Sequence, residues 1–241
     1  MQLIARHRRS VDLRGEEGFT LPELLVGMII GTIVLMAALT MLDTTVSLGT
    51  KVNKRVDATQ RGRTALDRVA RDLRSQVCLP GDPAQDSLIA ASDNSVDVYA
   101  DLGDGSAAKP PQRRTITFDP TQRTIVERVY TPTGSTGNYV FPSTPTTTQT
   151  LLSDVIQDGS TPVFTYYPVD TTPDDDVDPA PLGASGAVPA ANLDSVARIR
   201  ITFKALPSGR TAAKPGDAVM QDDVYRTAVD PNSTDTTAQC W

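Results

Sequence analysis

The chain has 241 residues and a formal net charge of −6. That length allows one sizeable domain with an appendage, and the abundance of Pro, Thr, Ser and Asp favours a loop-rich globular part over a helical bundle. Residues 78–241 carry eleven basic and twenty-one acidic side chains, so this part offers no basic surface with which to replace phosphate counterions, and nucleic acid is not an expected partner.

In chain order, residues 1–18 hold Arg6, Arg8, Arg9 and Arg14 beside Asp12, Glu16 and Glu17. From Leu24 to Leu42 there are nineteen residues without a charge, about 28 Å of helix against a hydrocarbon core of ~30 Å. The run is long for the apolar part of a secretory signal, and no A-x-A site follows it, which argues for a retained membrane span. The arginines before the span lean towards an inside N-terminus, although Lys51, Lys54 and Arg55 follow closely behind it. Within the span, Gly27 and Gly31 form a GxxxG step that would let two helices approach closely.

Residues 43–77 carry eight basic and four acidic side chains. Val52, Val56, Thr59, Leu66, Val69 or Ala70, Leu73 and Val77 recur at three- and four-residue steps, the stripe of an amphipathic helix whose apolar face holds a head domain. Gly49 and Gly62 are the expected bends or soft points. After Pro80, five runs rich in β-branched and aromatic residues (95–100, 113–118, 123–130, 163–167 and 196–205) read as strands. FDPTQ (118–122) sits between two of them as a hairpin turn. No strand–helix–strand alternation occurs, so an α+β fold with an antiparallel sheet packed on the helix is expected. Residues 131–150, 170–192 and 206–223 read as Pro/Thr/Gly/Asp-rich loops.

Two cysteines, Cys78 and Cys240, stand far apart, with no Cys/His cluster to suggest zinc. In an exported head a Cys78–Cys240 disulfide would tie the end of the chain to the end of the helix, whereas in the cytosol both would be thiols. The one histidine, His7, lies ahead of the span. Beyond it there is no imidazole base and no spacing that singles out a catalytic carboxylate pair. The chain is therefore not expected to be an enzyme or to carry a cofactor. The acidic PDDDVD run (173–178) has oxygen ligands suited to Ca²⁺ but lacks the spacing of an EF-hand, and reads as a solvated loop.

The stretch G-F-T-L-P-E (18–23), preceded by a short basic leader and followed by the uncharged span, resembles the N-terminus of type IV prepilins and pseudopilins. The resemblance covers about residues 1–77, and RTALDRVARDLR (63–74) with the late VARIRITF strand is similar to minor pseudopilins of the J or W type. It implies a pilin-like fold with a leader at 1–18, an N-terminal helix at 19–77 (transmembrane 24–42, amphipathic 43–77) and a β-rich extracytoplasmic head at 78–241. It also implies cleavage by a prepilin peptidase between Gly18 and Phe19, with N-methylation of Phe19. Glu23 would then pair with the Phe19 amine of a neighbouring subunit. The implied partners are other pilins or pseudopilins, an inner-membrane assembly platform and membrane lipid. The implied location is a single-pass inner-membrane protein whose head enters an extracellular or periplasmic filament. Pro22 falls among the first helical residues, whose N–H groups have no acceptor, so it marks a start and not a kink. Two features depart from the family habit: Glu16 and Glu17 directly before the cut, and no proline between Leu24 and Val77. A different class of reading is a membrane-anchored adhesin or binding head that never polymerises and binds through loops 131–150 and 170–192.

Overall fold

A computed structural model describes residues 18–79, 86–102, 110–134, 138–170, 178–183 and 186–226. The chain divides into two compact units, residues 1–51 and 52–241, and the division falls within one helix, α1 (Leu21–Arg74). α1 continues through both Gly49 and Gly62.

In the N-terminal unit the helix is apolar on every side, and all its large apolar residues from Leu21 to Leu48 are exposed. Among the described residues it is the one helix long and apolar enough to cross a membrane. Its threonines fold their hydroxyls back on the helix: Thr32 Oγ1 donates to the Ile29 carbonyl and Thr40 Oγ1 to the Ala37 carbonyl, each at 2.8 Å. That satisfies polar groups for which lipid offers no partner.

The second unit packs the last turns of α1 on two antiparallel sheets. The first contains β1 (Leu88–Ser92), β2 (Ser95–Ala100), β3 (Gln112–Asp119), β4 (Thr124–Tyr130) and β5 (Thr147–Ser153), in that spatial order. In the second, β8 (Arg198–Ala205) is flanked on one side by β6 (Val155–Ile156) and β7 (Phe164–Tyr167), and on the other by β9 (Val219–Tyr225). The five expected strands correspond to β2, β3, β4, β7 and β8. β5 and β9 begin inside stretches expected to be loops. The expected hairpin at 118–122 joins β3 to β4: the Asp119 carboxylate accepts the N–H groups of Thr121 and Gln122 at 2.8 and 2.9 Å. This side-chain turn, with Pro120 inside it, reverses the chain.

The core joins Leu66, Val69, Ala70 and Leu73 of α1 to inward residues of both sheets, among them Val96, Ile116, Phe118 and Ile125, and Phe164, Ile199, Ile201 and Phe203. Tyr166 ties the layers together, its hydroxyl donating to the carbonyls of Ser92 (3.2 Å) and Ser95 (2.9 Å). The expected helical stripe needs two corrections. Val52 and Val56 are exposed, and the buried face begins at Ala58 and continues through Gly62 and Ala65. At the other end the helix stops at Arg74. Ser75 Oγ donates to the Asp72 carbonyl, and the Val77 N–H goes to the Tyr99 carbonyl, so Val77 lies along β2 and not on the helical stripe. Gly62 has a packing role at this seam: a Cβ there would stand 2.9 Å from the Ala205 Cβ and 3.1 Å from the Met220 Cγ. Its lack of a side chain lets helix and sheet approach.

Candidate processing and assembly site

The N-terminal motif is built by the start of α1. Thr20 is the last residue before the helix, and its carbonyl accepts the N–H groups of Glu23 (3.0 Å) and Leu24 (3.1 Å). Leu21, Pro22 and Glu23 form the first turn. The missing proline N–H is one that would have no intrahelical acceptor, so Pro22 costs the helix nothing here. Glu23 places its carboxylate at the positive end of the helix dipole, and the Thr20 hydroxyl donates to it at 3.4 Å. The sequence reading missed this local partnership, although Thr-x-x-Glu before an apolar run is a known helix-start signature.

Immediately upstream, Gly18 and Phe19 are outside regular structure. Phe19 is 81% exposed, and among the described residues nothing lies within 4 Å of a Cβ built on Gly18. A peptide bond bounded by such residues is open to a protease. Gly27 and Gly31 also meet nothing within 4 Å, so among the described residues no packing requires their smallness. Residues 1–17 and Cys240 lie outside the described residues. Cys78 lies just past the end of α1.

Several charged groups buried in the head pair with one another. At the seam of α1 with β3 and β4, Arg114 donates to Glu127, and Arg68 reaches Glu127 at 3.2 Å and Asp72 at 3.4 Å. Arg114 lies 3.5 Å from Asp72. Burial, followed by the nearby negative charge of Glu127, pushes the Asp72 carboxyl up to about 6. Sequence patterning carried a signal for this cluster, because alternation along β4 puts Glu127 on the inward face with Ile125, and Arg114 shares the inward face of β3 with Ile116. On the second sheet, Arg198 and Arg200 stack over the Tyr167 ring at 4.3 and 5.1 Å and bind Asp178 at 2.7 and 2.8 Å. Their hydrogen bonds, that of Arg198 first, hold the Asp178 carboxyl below its ordinary range. Asp178 is the described end of the acidic run considered for Ca²⁺, whose other residues lie outside the described set. Among the described residues, no group of three or more His, Cys, Asp or Glu side chains could hold a metal ion.

Residues 13–39 match the family model described as the prokaryotic N-terminal methylation motif. No curated protein matches the chain. The matched segment contains the Gly18–Phe19 step, Glu23 and most of the apolar span. A methylation motif at the head of a long apolar helix, followed by an antiparallel β domain, makes this chain a type IV prepilin-like protein.

Proposed function

We propose that the chain is a minor pilin or pseudopilin, a structural subunit of a type IV pilus, competence or type II secretion filament, and not an enzyme. A prepilin peptidase hydrolyses the amide between Gly18 and Phe19, leaving a carboxylate on Gly18 and a free amine on Phe19, which is then methylated. The span 24–42 anchors the chain in the inner membrane with the head outside the cytoplasm, and an assembly platform passes it into the filament. There the apolar helix exchanges lipid for the helices of other subunits. Glu23 receives the positive amine of Phe19 from a neighbour, and Gly27 and Gly31 allow close helix approach. An intramembrane carboxylate is costly by itself, at about 2.5–3.5 kcal/mol on insertion scales, and a desolvated pair fixes register more than it adds stability. In the oxidising space outside the membrane, Cys78 and Cys240 are bridged.

One observation carries this reading: α1 starts at Leu21, just downstream of the proposed cut, and exposes its apolar surface from there to Leu48. Cleavage would thus deliver an amine directly above an intact helix that nothing covers among the described residues. The test is N-terminal sequencing and intact mass of the membrane-extracted protein, expressed with a prepilin peptidase. A mature chain beginning at methylated Phe19 is expected. One beginning at Met1 or near Leu48 overturns the proposal.

A further inference from the structure

A sheet exposes unpaired backbone N–H and C=O groups at its edges, and proteins cover such edges, charge them or shorten them. In the head β1 is covered, because the Val188 N–H reaches the Ala91 carbonyl and the Asp93 N–H reaches the Gly186 carbonyl, each at 2.9 Å. β5, the other edge of the first sheet, has no such guard: among the described residues its backbone hydrogen bonds run to β4 alone. It also has no charge. From Val129 to Ser153 there are twenty-five residues without a charged side chain, and eleven of them are Ser or Thr.

Residues 142–150 of that stretch read PSTPTTTQT, and all six of their hydroxyl side chains are exposed. Thr146 is engaged, its Oγ1 accepting the Thr131 N–H at 3.0 Å. The hydroxyls of Ser143, Thr144, Thr147, Thr148 and Thr150 make no hydrogen bond among the described residues. On α1, by contrast, Thr59 and Thr64 donate to the carbonyls of Arg55 and Gln60, each at 3.0 Å. Strand propensity accounts for threonine inside β5. It does not account for Ser143 and Thr144, which stand ahead of the strand at a bend between Pro142 and Pro145. Uncharged Ser/Thr-rich stretches interrupted by proline have the composition of segments that carry O-linked sugar.

We propose that residues 143–150 are an O-glycan acceptor segment, with Ser143 and Thr144 at the bend and Thr147, Thr148 and Thr150 on β5 as the acceptors. The donor is a glycosyl diphosphate, and a glycosyltransferase of the producing cell supplies the catalytic groups. The Ser or Thr oxygen bonds to the anomeric carbon as the bond from that carbon to the diphosphate oxygen breaks. The hydroxyl proton passes to a base on the transferase, and the diphosphate leaves with the electron pair of the broken bond. Nothing is oxidised or reduced. Thr148 and Thr150 stand opposite Arg128 and Val126 of β4, on the face turned away from buried Ile125 and Glu127. Sugars there flank the open edge with hydrated bulk that holds off another strand, the guard that β5 lacks in its own side chains. Attachment needs no leader cleavage, so it stands or falls separately from the processing step.

The test is peptide mass of the full chain extracted from the cells that naturally produce it. Glu127 and Asp154 are successive acidic residues in the sequence, so cleavage after both releases 128–154 as one peptide. That peptide should be heavier than its sequence by whole sugar residues. Alkaline elimination should remove the added mass and leave dehydrated Ser or Thr at the attachment positions, located by fragmentation within 143–150. A chain carrying Ser143→Ala, Thr144→Ala, Thr147→Val, Thr148→Val and Thr150→Val, made in the same cells and checked for native circular dichroism, should yield the peptide at its unmodified mass. An unmodified 128–154 peptide from the natural chain overturns the proposal. So do sugars that survive the five substitutions, or that map only outside 143–150.

Discussion

The Asp72 carboxyl is the place where the helix–sheet seam should respond to pH. It faces Arg68 from its own helix, Arg114 from β3 and Glu127 from β4. In the folded chain it holds a proton up to about pH 6, against an ordinary value of 3.8. A carboxyl raised on folding binds protons more tightly in the native state, so its stabilisation is present at the acid end and lost as pH rises from about 4 through about 6. The full difference corresponds to at most about 3 kcal/mol, which water around the half-exposed Arg68 reduces to about 1–3 kcal/mol. For a domain of this size that is roughly 2–10 °C in Tm. Asp178 and Asp217 are shifted the opposite way, each chiefly by an arginine hydrogen bond. Their contributions fall away only below the ordinary carboxylate value, outside the Asp72 window. Thermal unfolding of the full chain in detergent, followed by circular dichroism from pH 4 to pH 7, should therefore show Tm falling as pH rises. Asp72→Asn, which keeps the shape of the protonated acid, should flatten that slope. Equal slopes in wild type and Asp72→Asn would refute the assignment.

Gly62→Ala and Gly49→Ala should act in opposite directions. At Gly62 the new methyl meets Ala205 at 2.9 Å, an overpacking cost of about 1–3 kcal/mol that outweighs the helix-propensity gain and lowers the Tm of the head. At Gly49 the space is open, so the gain of about 1 kcal/mol in local helix stability stands alone and appears as slower amide exchange around that residue. In protein taken from intact cells, Cys78 and Cys240 should resist alkylation until reduced, as read by peptide mass, and full labelling without reductant would exclude the bridge. Glu23→Ala should insert into membranes normally yet be depleted from sheared filaments.

The parts of the fold legible in the sequence are those where one face is buried and the other is not. β3 and β4 alternate along their length because one face meets the core, and alternation is the signal that sequence patterning detects. β5 is exposed at four successive residues, and β9 carries consecutive aspartates. Four exposed residues in a row leave no periodic trace in β5, and in β9 the aspartates separate the two buried residues, Met220 and Val224; both stretches carry the composition of loops. The stripe on α1 failed at its start for a related reason. Periodicity places Val52 and Val56 on a common face with Leu66, but it does not say how far along that face the head extends. Packing begins at Ala58 and Gly62, small residues that a search for large apolar side chains passes over. The processing motif is different in kind: it is a contiguous string, readable without any knowledge of the fold.

Two roles for Glu23 predict different magnitudes. As the acidic residue of the first turn, bonded by Thr20, it favours helix initiation by about 0.3–1 kcal/mol. Losing that much would fray one turn and leave filament incorporation nearly unchanged. As the partner of a neighbouring Phe19 amine in a dry filament core, its removal leaves a buried charge unpaired, at a cost of about 3–5 kcal/mol, or two orders of magnitude or more in occupancy. Glu23→Gln removes both the charge–dipole term and the pairing, but its amide oxygen can still accept from the Thr20 hydroxyl, so the helix start loses at most about 1 kcal/mol with it while the pairing is lost in full. The Glu23→Gln variant should therefore preserve the helix start and fail in assembly as severely as Glu23→Ala, measured as the share of the protein that co-purifies with sheared filaments. Recovery of wild-type incorporation by Glu23→Gln would assign the carboxylate to the helix and not to the filament.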